Sequence, residues 1–403
     1  MLVKPQTNNV AKIKVIGIGG AGGNAINNMI ENYDIEGVEF IAINTDNQAL
    51  QSNKAETKLQ IGAEITRGLG SGGNPQIGRK AAEESVDLIH EHLAGADMVF
   101  ITAGMGGGTG TGASPVIAGI SKNLGALTIA IVEKPFKFEG KRRMETALKG
   151  ISEIKDKVDT LVVIPNEKLF EVIEENISFI EAMKKVDDVL AQAVKSIAQL
   201  ITQTGNINVD FADIKAIMTN AGTALMGMGS ASGENRAENA VKMAIHSPLL
   251  EMSLVGATGI LFNIVSGKDL SMAEIKKISS MISENVSDDA NIYFGASIDN
   301  ELQDEIRITV LATGFDESFT QPKNSSFSFK SEPARVNLRS SGISTFKKDD
   351  DDEKDDDDDS PKRGGKIIVR SEVEEKDEEE DEDSGKWSDM ENQPAFLRNR
   401  KKY

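Results

Sequence analysis

The sequence predicts an α/β protein in which helices cover a parallel sheet, and a long helix leads into a second, smaller α/β unit. Three observations support this prediction. Short apolar runs alternate with helical patterns in the first part of the chain, one long amphipathic stretch follows, and more strand-like runs come after Gly205. No internal repeat is visible.

The predicted strands are short, nearly continuous apolar runs, a pattern typical of strands that are buried on both faces of a parallel sheet. They lie at 12–17, 38–44, 97–103, 126–132 and 160–165 in the first part, and at 259–266, 291–297 and 305–313 in the second.

The long helix is predicted from apolar residues that recur at three- and four-residue steps and therefore share one face. Ser178 and Glu181 have the spacing of a capping box, which places the helix start at Ser178. The pattern extends over about six turns. Its apolar face comprises Ile180, Met183, Val186, Leu190, Val194, Ile197 and Ile201.

Composition excludes several classes of function. The net charge of -19 disfavours nucleic-acid binding, because backbone phosphates would be repelled. The chain has no cysteine, so disulfides, thiolate metal sites and cysteine nucleophiles are excluded. His90, His92 and His246 do not form a metal-binding pattern. There is neither a leader-like N-terminus nor an apolar run long enough to span a bilayer, so a cytoplasmic location is expected.

The last part of the chain has the composition of a disordered tether. Two acid runs, 349–359 and 372–383, interrupt a stretch without apolar periodicity, which cannot bury enough surface to offset the entropy of ordering. The end, ENQPAFLRNRKKY, is basic and carries an apolar pair. The predicted divisions are a flexible N-terminus 1–10, a Rossmann-like domain 11–177, a central helix 178–204, a C-terminal domain 205–316, an acidic linker 317–390 and a terminal peptide 391–403.

Two glycine-rich segments follow predicted strands. The first, 17–24, is expected to precede a helix at 25–30, and an apolar strand, a glycine turn and a helix N-terminus together form an anion site. Gly17, Gly19 and Gly22 also fit the dinucleotide pattern GxGxxG, with Asp46 placed for a ribose, so an NAD-dependent oxidoreductase is an open alternative. A tight turn without a ligand is another.

The second glycine-rich segment, 104–112, favours a polyphosphate held between two loops, because the dinucleotide fingerprint needs only the first. The phosphate-loop pattern of other nucleotide hydrolases is missing, since Gly73 and Gly78 are followed by Arg79 where that motif requires lysine.

These motifs carry a family resemblance. GGAGGN at 19–24, GGGTGTG at 106–112 and NVDFAD at 208–213 resemble the FtsZ family, the bacterial tubulin-like cell-division GTPases. The resemblance covers about 11–316 and resumes at 394–398. It implies binding of GTP and GDP with Mg²⁺, assembly of the protein with itself into head-to-tail protofilaments, and a cytokinetic ring on the inner face of the membrane. A nucleotide-binding structural protein without turnover is a third possible class.

The resemblance also assigns roles to individual residues. Glu139 and Arg143 would contact the ribose and the phosphate side, although the residues alone favour a solvated, charged helix start. Asp187 borders the apolar face of the long helix, where it can accept hydrogen bonds from guanine. The implied nucleotide contacts are Gly20, Ala21, Gly22, Gly23, Asn24, Asn44, Asp46, Gly107, Gly108, Thr109, Gly110, Glu139, Arg143, Asn166, Met183 and Asp187.

Position 183 is a departure from the family pattern. It is often aromatic in the family and would stack on the base, whereas here it is Met183. A thioether still contacts a ring face, but more weakly, so the resemblance implies somewhat weaker base binding.

The acids after the long helix have two interpretations. From the residues alone, Asp210 is an N-cap and Asp213 belongs to the first turn of a helix that begins near Phe211. The resemblance implies instead that Asp210 and Asp213, supported by Asn208, polarise the attacking water in the site of the next subunit. Mg²⁺ would bind through nucleotide phosphates, without a protein side chain as ligand.

The terminal peptide resembles the family's partner-binding segment, at Pro394, Ala395, Phe396, Leu397 and Arg398. It implies docking on membrane-anchoring and regulatory division proteins, and hence a location at the division site without a transmembrane segment.

Overall fold

The computed structural model describes residues 11–33, 35–170, 178–202, 207, 209–250, 253–299 and 302–315. The expectations for the N-terminus 1–10, for Asn208, for the linker 317–390 and for the terminal peptide 391–403 lie outside these residues. None of the described helices is both long and apolar enough to cross a membrane.

The described strands form one sheet in the order β3-β2-β1-β4-β5-β6-β7-β10-β8-β9. Pairing is parallel from β3 through to β7 and between β8 and β9, whereas β10 is antiparallel to both β7 and β8. The strands are β1 (Ile13–Ile18), β2 (Val38–Asn44), β3 (Thr57–Gln60), β4 (Met98–Gly104), β5 (Leu127–Lys134), β6 (Thr160–Pro165), β7 (Gly222–Ser232), β8 (Gly259–Ser266), β9 (Asn291–Ile298) and β10 (Glu305–Thr313).

The helices connect these strands and cover the sheet. A short 3₁₀ turn, Lys137–Glu139, follows β5. The helices are α1 (Gly19–Asn32), α2 (Asn47–Ser52), α3 (Ala63–Thr66), α4 (Pro75–Glu84), α5 (Val86–Leu93), α6 (Thr109–Asn123), α7 (Lys141–Lys155), α8 (Asn166–Phe170), α9 (Phe179–Thr202), α10 (Phe211–Met218), α11 (Arg236–Ile245) and α12 (Met272–Ser283).

Three clusters of buried apolar side chains hold these layers together. One joins α1, α9 and α10 to one face of the sheet, through residues such as Met29, Leu190 and Ile214. A second cluster joins the four helices from α4 through α7 to the other face of the sheet. A third cluster packs α11 and α12 on the strands β8 and β10. The α/β class with a parallel sheet, which the sequence predicts, is confirmed for β1 to β6. The prediction succeeds because strands that are buried on both faces have continuous apolar runs.

The long helix α9 confirms most of the predicted apolar face. Val186, Leu190, Val194 and Ile197 are buried. The predicted capping box is also present, since Ser178 N donates to Glu181 Oε2 at 3.0 Å and Glu181 N donates to Ser178 Oγ at 3.2 Å. The prediction for Ile180 was wrong. This side chain is 69% exposed, because it lies one turn before the part of the helix that packs on the core.

The start of α1 corrects a second prediction. The helix begins at Gly19, not at position 25, so the glycine segment is itself the first helical turn. The glycines are needed for close approach. A Cβ on Gly22 would lie 2.5 Å from Thr102 O, and a Cβ on Gly17 would lie 2.3 Å from Gly22 O. The first turn of α1 therefore packs directly on the ends of β1 and β4.

Arg236 organises the second part of the sheet at the start of α11. Its side chain is buried, and its Nε donates to Glu274 Oε1 at 2.7 Å. Its Nη1 also donates to Asp269 and, at 3.4 Å, to Asp304. The hydrogen bond from Arg236 is the main cause that lowers the pKa of Glu274 to about 2. Arg236 thus ties α11, α12 and two loops together.

Arg236→Met should lower the free energy of unfolding by about 2–3 kcal/mol at neutral pH, because charge-assisted hydrogen bonds are lost. The difference from the wild type should shrink as the pH falls through 4.5 towards 2, where Glu274 is protonated in both proteins. Arg307→Met is the matched control, since Arg307 pairs with Glu305 on the surface, and it should cost less than about 1 kcal/mol. Equal losses in urea denaturation would contradict this account.

Candidate functional site

The described strands of the first part of the sheet have the order β3-β2-β1-β4-β5-β6. The chain runs outwards in one direction from β1 to β3 and in the other from β4 to β6. In such a sheet, ligands bind outside the carboxyl ends of the strands at the point where the order reverses, here between β1 and β4. Both glycine-rich segments follow these two strands, so the fold brings them together as predicted.

The two glycine segments are in direct contact. A Cβ on Gly19 would lie 3.0 Å from Gly110 N, and a Cβ on Gly110 would lie 2.7 Å from Gly104 O. Neither α1 nor α6 has a side-chain hydrogen bond at its N-cap, and neither has an acid in its first turn. Two helix N-termini thus meet with backbone N–H groups available for an anion.

The second segment is held from behind by hydroxyl groups. Thr109 Oγ1 lies 2.7 Å from Thr45 Oγ1 and 3.0 Å from Ser71 Oγ, and all three side chains are buried. The predicted nucleotide contact Thr109 therefore uses its side chain to join three loops. Its backbone N–H remains available for a ligand at the start of α6.

Two other predicted contacts, Asn44 and Asp46, are also engaged locally. Asn44 Oδ1 accepts from Thr45 N at 2.8 Å, and Asp46 Oδ1 accepts from Gln48 N at 2.9 Å as the N-cap of α2. They shape the loop after β2, and neither side chain lines the cavity described next. Their contact with a nucleotide remains a prediction.

A cavity of about 200 Å³ lies beside the glycine segments. Seven of the predicted nucleotide contacts line it, and they come from five separate elements of the fold. The remaining predicted glycines flank it on the two segments. The seven are Ala21, Asn24, Glu139, Arg143, Asn166, Met183 and Asp187.

Helix α9 places Asp187 and Met183 on one wall of the cavity. Its position is fixed against α1 by a hydrogen bond from Asn28 Nδ2 to Asp188 Oδ1 at 3.1 Å. Burial, and then the negative charge of Asp188, raise the pKa of Asp187 to about 7. The carboxyl group is thus poised to ionise when hydrogen-bond donors of a ligand reach it.

Glu139 and Arg143 also line the cavity. Arg143 Nη1 lies 3.0 Å from Glu139 Oε2, and Glu139 Oε1 accepts from Phe136 N at 3.0 Å. The pair is partly exposed, so it fits both predicted interpretations, a charged helix start and a polar edge of the cavity.

Sequence reasoning missed Glu133, at the end of β5. Its side chain is 6% exposed and lines the same cavity. The one available signal was an acid directly after the mostly apolar run 126–132 and directly before the residues KPF. An ionisable group at the C-terminal end of a buried strand is unusual unless it faces a site.

The predicted catalytic acids do not line this cavity. Asp210 is the N-cap of α10, and its Oδ1 accepts from Asp213 N at 2.8 Å, which confirms the capping prediction. The backbone nearby is fixed, because Ala296 N donates to Ile207 O at 3.1 Å and Val209 is buried.

Comparison with known proteins agrees with this geometry. Residues 12–174 match the model of the GTPase domain of the Tubulin/FtsZ family, and residues 222–316 match the C-terminal domain of the FtsZ family. An empty FtsZ dimer from M. jannaschii is 49% identical with a TM-score of 0.73, and the match covers 77% of this chain and 89% of that chain. The chain belongs to the tubulin/FtsZ family.

Two further structural matches agree with this family assignment. A mutant FtsZ from M. jannaschii is also 49% identical with a TM-score of 0.73, covering 76% of this chain and 91% of that chain. CetZ2 from Haloferax volcanii, at 20% identity and a TM-score of 0.65 with 76% and 94% covered, shares the fold. As a member of this family the chain is a GTPase that binds GTP and GDP. The matches do not favour the NAD-dependent oxidoreductase.

Gly20→Ala and Gly107→Ala test whether the nucleotide lies against the glycine segments. A Cβ at either position meets no atom of the protein within 4 Å, and neither residue has a positive φ. Stability should therefore change by less than about 1 kcal/mol. GTP affinity should fall by about tenfold or more, because a methyl group would overpack the bound phosphates.

The control is Gly119→Ala, in the middle of α6, where a Cβ also meets open space. It should slightly stabilise the helix and leave GTP affinity unchanged. Calorimetric titration with GTP, alongside thermal melting, measures both effects. Unchanged affinity in both loop variants would place the phosphates elsewhere.

Proposed function

We propose that this GTPase polymerises head to tail with GTP and forms the cytokinetic ring of cell division, and that its GTP is hydrolysed between subunits. Asp210 and Asp213, supported by Asn208, polarise the attacking water in the cavity of the neighbouring subunit. The related FtsZ structure from M. jannaschii is a dimer, which supports self-association.

One observation carries the proposal of hydrolysis between subunits. Asp187 lines the cavity, and α9 continues from it to Thr202 before the chain reaches Asp210. At 1.5 Å per residue, that part of the helix alone is roughly 22 Å long. Helix α10, which Asp210 caps, contacts the amino end of β6, since Thr160 Oγ1 donates to Met218 O, whereas the cavity lies beyond the carboxyl end of that strand. We therefore place Asp210 and Asp213 away from the cavity of their own chain, so that they act on a nucleotide held by another copy.

Such a contact joins two different surfaces of the same molecule. A heterologous contact that does not close on itself produces an open filament. Each new joint then completes one active site, so turnover depends on assembly. The acids orient water while backbone N–H groups stabilise the charge on the transferred phosphoryl group.

We place the phosphates, the ribose and the base of the nucleotide according to the hydrogen-bonding groups that surround the cavity. The phosphates lie on the N–H groups of the two glycine segments, and the ribose lies near Glu139, Arg143 and Asn166. The base lies between Met183 and Asp187, whose carboxylate accepts from the amino and imino groups of guanine.

Mg²⁺ fits this arrangement as a companion of the phosphates. The described residues contain no group of three or more His, Asp or Glu placed to hold a metal. Mg²⁺ usually keeps several waters and binds through phosphate oxygens. When bound, it neutralises charge that develops on the phosphoryl oxygens.

The location follows from the terminal peptide, which lies outside the described residues. We propose that Pro394–Arg398 docks on membrane-anchoring and regulatory division proteins and holds the filament at the inner membrane at the division site. The bases around it add weak attraction to anionic lipid. Deletion of 391–403 is expected to leave polymerisation intact.

Asp213→Asn and Asp210→Asn separate catalysis from capping. Asparagine is as good an N-cap as aspartate, so α10 should remain intact. GTP-dependent light scattering should persist, while phosphate release should fall by about a hundredfold or more, as when other water-activating groups are removed. In the wild type, release per subunit should rise with protein concentration. Turnover that is independent of concentration would contradict assembly-dependent hydrolysis.

Asp187 gives GTP binding a dependence on pH. Guanine favours the ionised carboxylate, whose pKa is about 7 in the free protein. At pH 6, affinity should therefore be about tenfold below the value for a fully ionised Asp187, and most of this rise should occur between pH 6 and 7.5. Asp187→Asn should bind more weakly, without this dependence and with reduced preference for GTP over ATP. A flat wild-type profile between pH 6 and 7.5 would refute the assignment.

A further inference from the structure

Glu133 lies on the floor of the nucleotide cavity. It pairs with Gly104 on β4 and with Ile164 on β6 in the middle of the sheet. A Cβ on Gly104 would lie 2.6 Å from Ala21 Cβ and 4.0 Å from Glu133 Oε2. The carboxyl group is therefore next to both glycine segments.

The floor of the cavity has unused hydrogen-bonding capacity. Glu133 Oε1 and Asn166 Oδ1 are buried, and neither atom has a partner among the described residues. Glu133 and Asn166 are 6% and 5% exposed, and both line the cavity. Buried polar atoms without a partner are costly, so two of them at one cavity indicate that a ligand completes them.

The charges that face Glu133 are mainly negative. Asp187 on α9 and Glu139 on the 3₁₀ turn both act on it, and Asn166 is its neutral neighbour. Arg143 on α7 and Lys134 on β5 line the same cavity, but Arg143 is paired with Glu139. Burial, and then the charge of Asp187, raise the pKa of Glu133 to about 8.

We propose that Glu133 takes part in nucleotide binding as a neutral carboxylic acid, and that its hydroxyl group donates a hydrogen bond to an oxygen atom of the nucleotide. The inference rests on the proposed nucleotide site. A protonated carboxyl has one O–H donor, whereas the ionised form only accepts. The ionised form would add a third carboxylate beside a polyphosphate, which Coulomb repulsion disfavours.

The position of Glu133 favours a phosphate or sugar oxygen over the base. The base brings donors, and Asp187 is the acceptor assigned to them. Glu133 is instead adjacent to Ala21 and Gly104, which belong to the segments assigned to the phosphates. Glu133 and Asp187 therefore bind opposite kinds of group, one as a donor and the other as an acceptor.

The test is the pH dependence of GTP affinity in the full chain, measured by calorimetric titration between pH 6.5 and 9. Glu133→Gln replaces the neutral acid with a neutral amide donor of similar size. It should bind GTP at pH 7 within about threefold of the wild type. Between pH 7 and 9 the wild type should lose about tenfold relative to the variant, as expected for one group that ionises with a pKa of about 8.

The control variant is Glu91→Gln, the same chemical change at an exposed position of α5. It should follow the wild type at every pH. Guanine itself loses a proton at high pH, but this loss is common to all the proteins and cancels in the ratio. Guanosine separates the two oxygen sources. An equal alkaline loss with guanosine assigns a sugar oxygen, and a loss seen with GTP alone assigns a phosphate oxygen.

Two results would overturn the proposal. One is a Glu133→Gln variant that has the melting temperature of the wild type but fails to bind GTP at pH 7. This result would mean that binding requires an ionised carboxylate. The other is an alkaline loss that persists unchanged in the variant. Failure of the wild type to bind GTP at any pH would instead refute the proposed nucleotide site.

A measurement on the wild type alone covers the case in which the variant does not fold. Titration at pH 8.5 in buffers of different ionisation enthalpy should show net proton uptake when GTP binds. Proton release, or no exchange, would overturn the proposal.

Discussion

The close approach of two helix N-termini to the ends of β1 and β4 is the constraint on which the site depends. Gly17, Gly22 and Gly110 each stand where a Cβ would lie less than 3 Å from a backbone or side-chain atom. Only glycine allows α1 and α6 to begin directly at the strand ends. The N–H groups of both helices then converge on one point, which an isolated glycine turn would not achieve.

Helix α9 turns this local constraint into a property of the whole molecule. Its first turns are fixed to α1 through Asn28 and Asp188, and its later residues are buried in the core. A packed helix of this length is rigid, so it holds the cavity at a constant distance from the end of the helix at Thr202. The chain therefore keeps the groups that we propose to bind the nucleotide apart from those that we propose to cleave it.

The sequence predicted those parts of the fold that have strong local patterns. Continuous apolar runs located eight strands, and three- and four-residue steps located α9, because burial dictates both. Strand β7 was missed, since GTALMGMGSAS has few β-branched residues. Its glycines allow α11 to pack closely on the strand, because a Cβ on Gly227 or Gly229 would lie 2.1 Å from a carbonyl oxygen of α11. Glu133 was missed for a similar reason, because only tertiary structure shows which buried acid faces a cavity.

Coulomb repulsion opposes the binding of a polyanion beside three carboxyl groups, and the cavity reduces this repulsion by giving the three groups different roles. Glu139 is paired with Arg143 and is therefore compensated. Asp187 and Glu133 are buried, and burial favours their neutral forms in the free protein. The cavity thus carries less negative charge than its composition indicates. A ligand that offers donors at one end and acceptors at the other can then ionise Asp187 and keep Glu133 neutral. The protonation states of these two acids would thus determine which ligand the cavity binds.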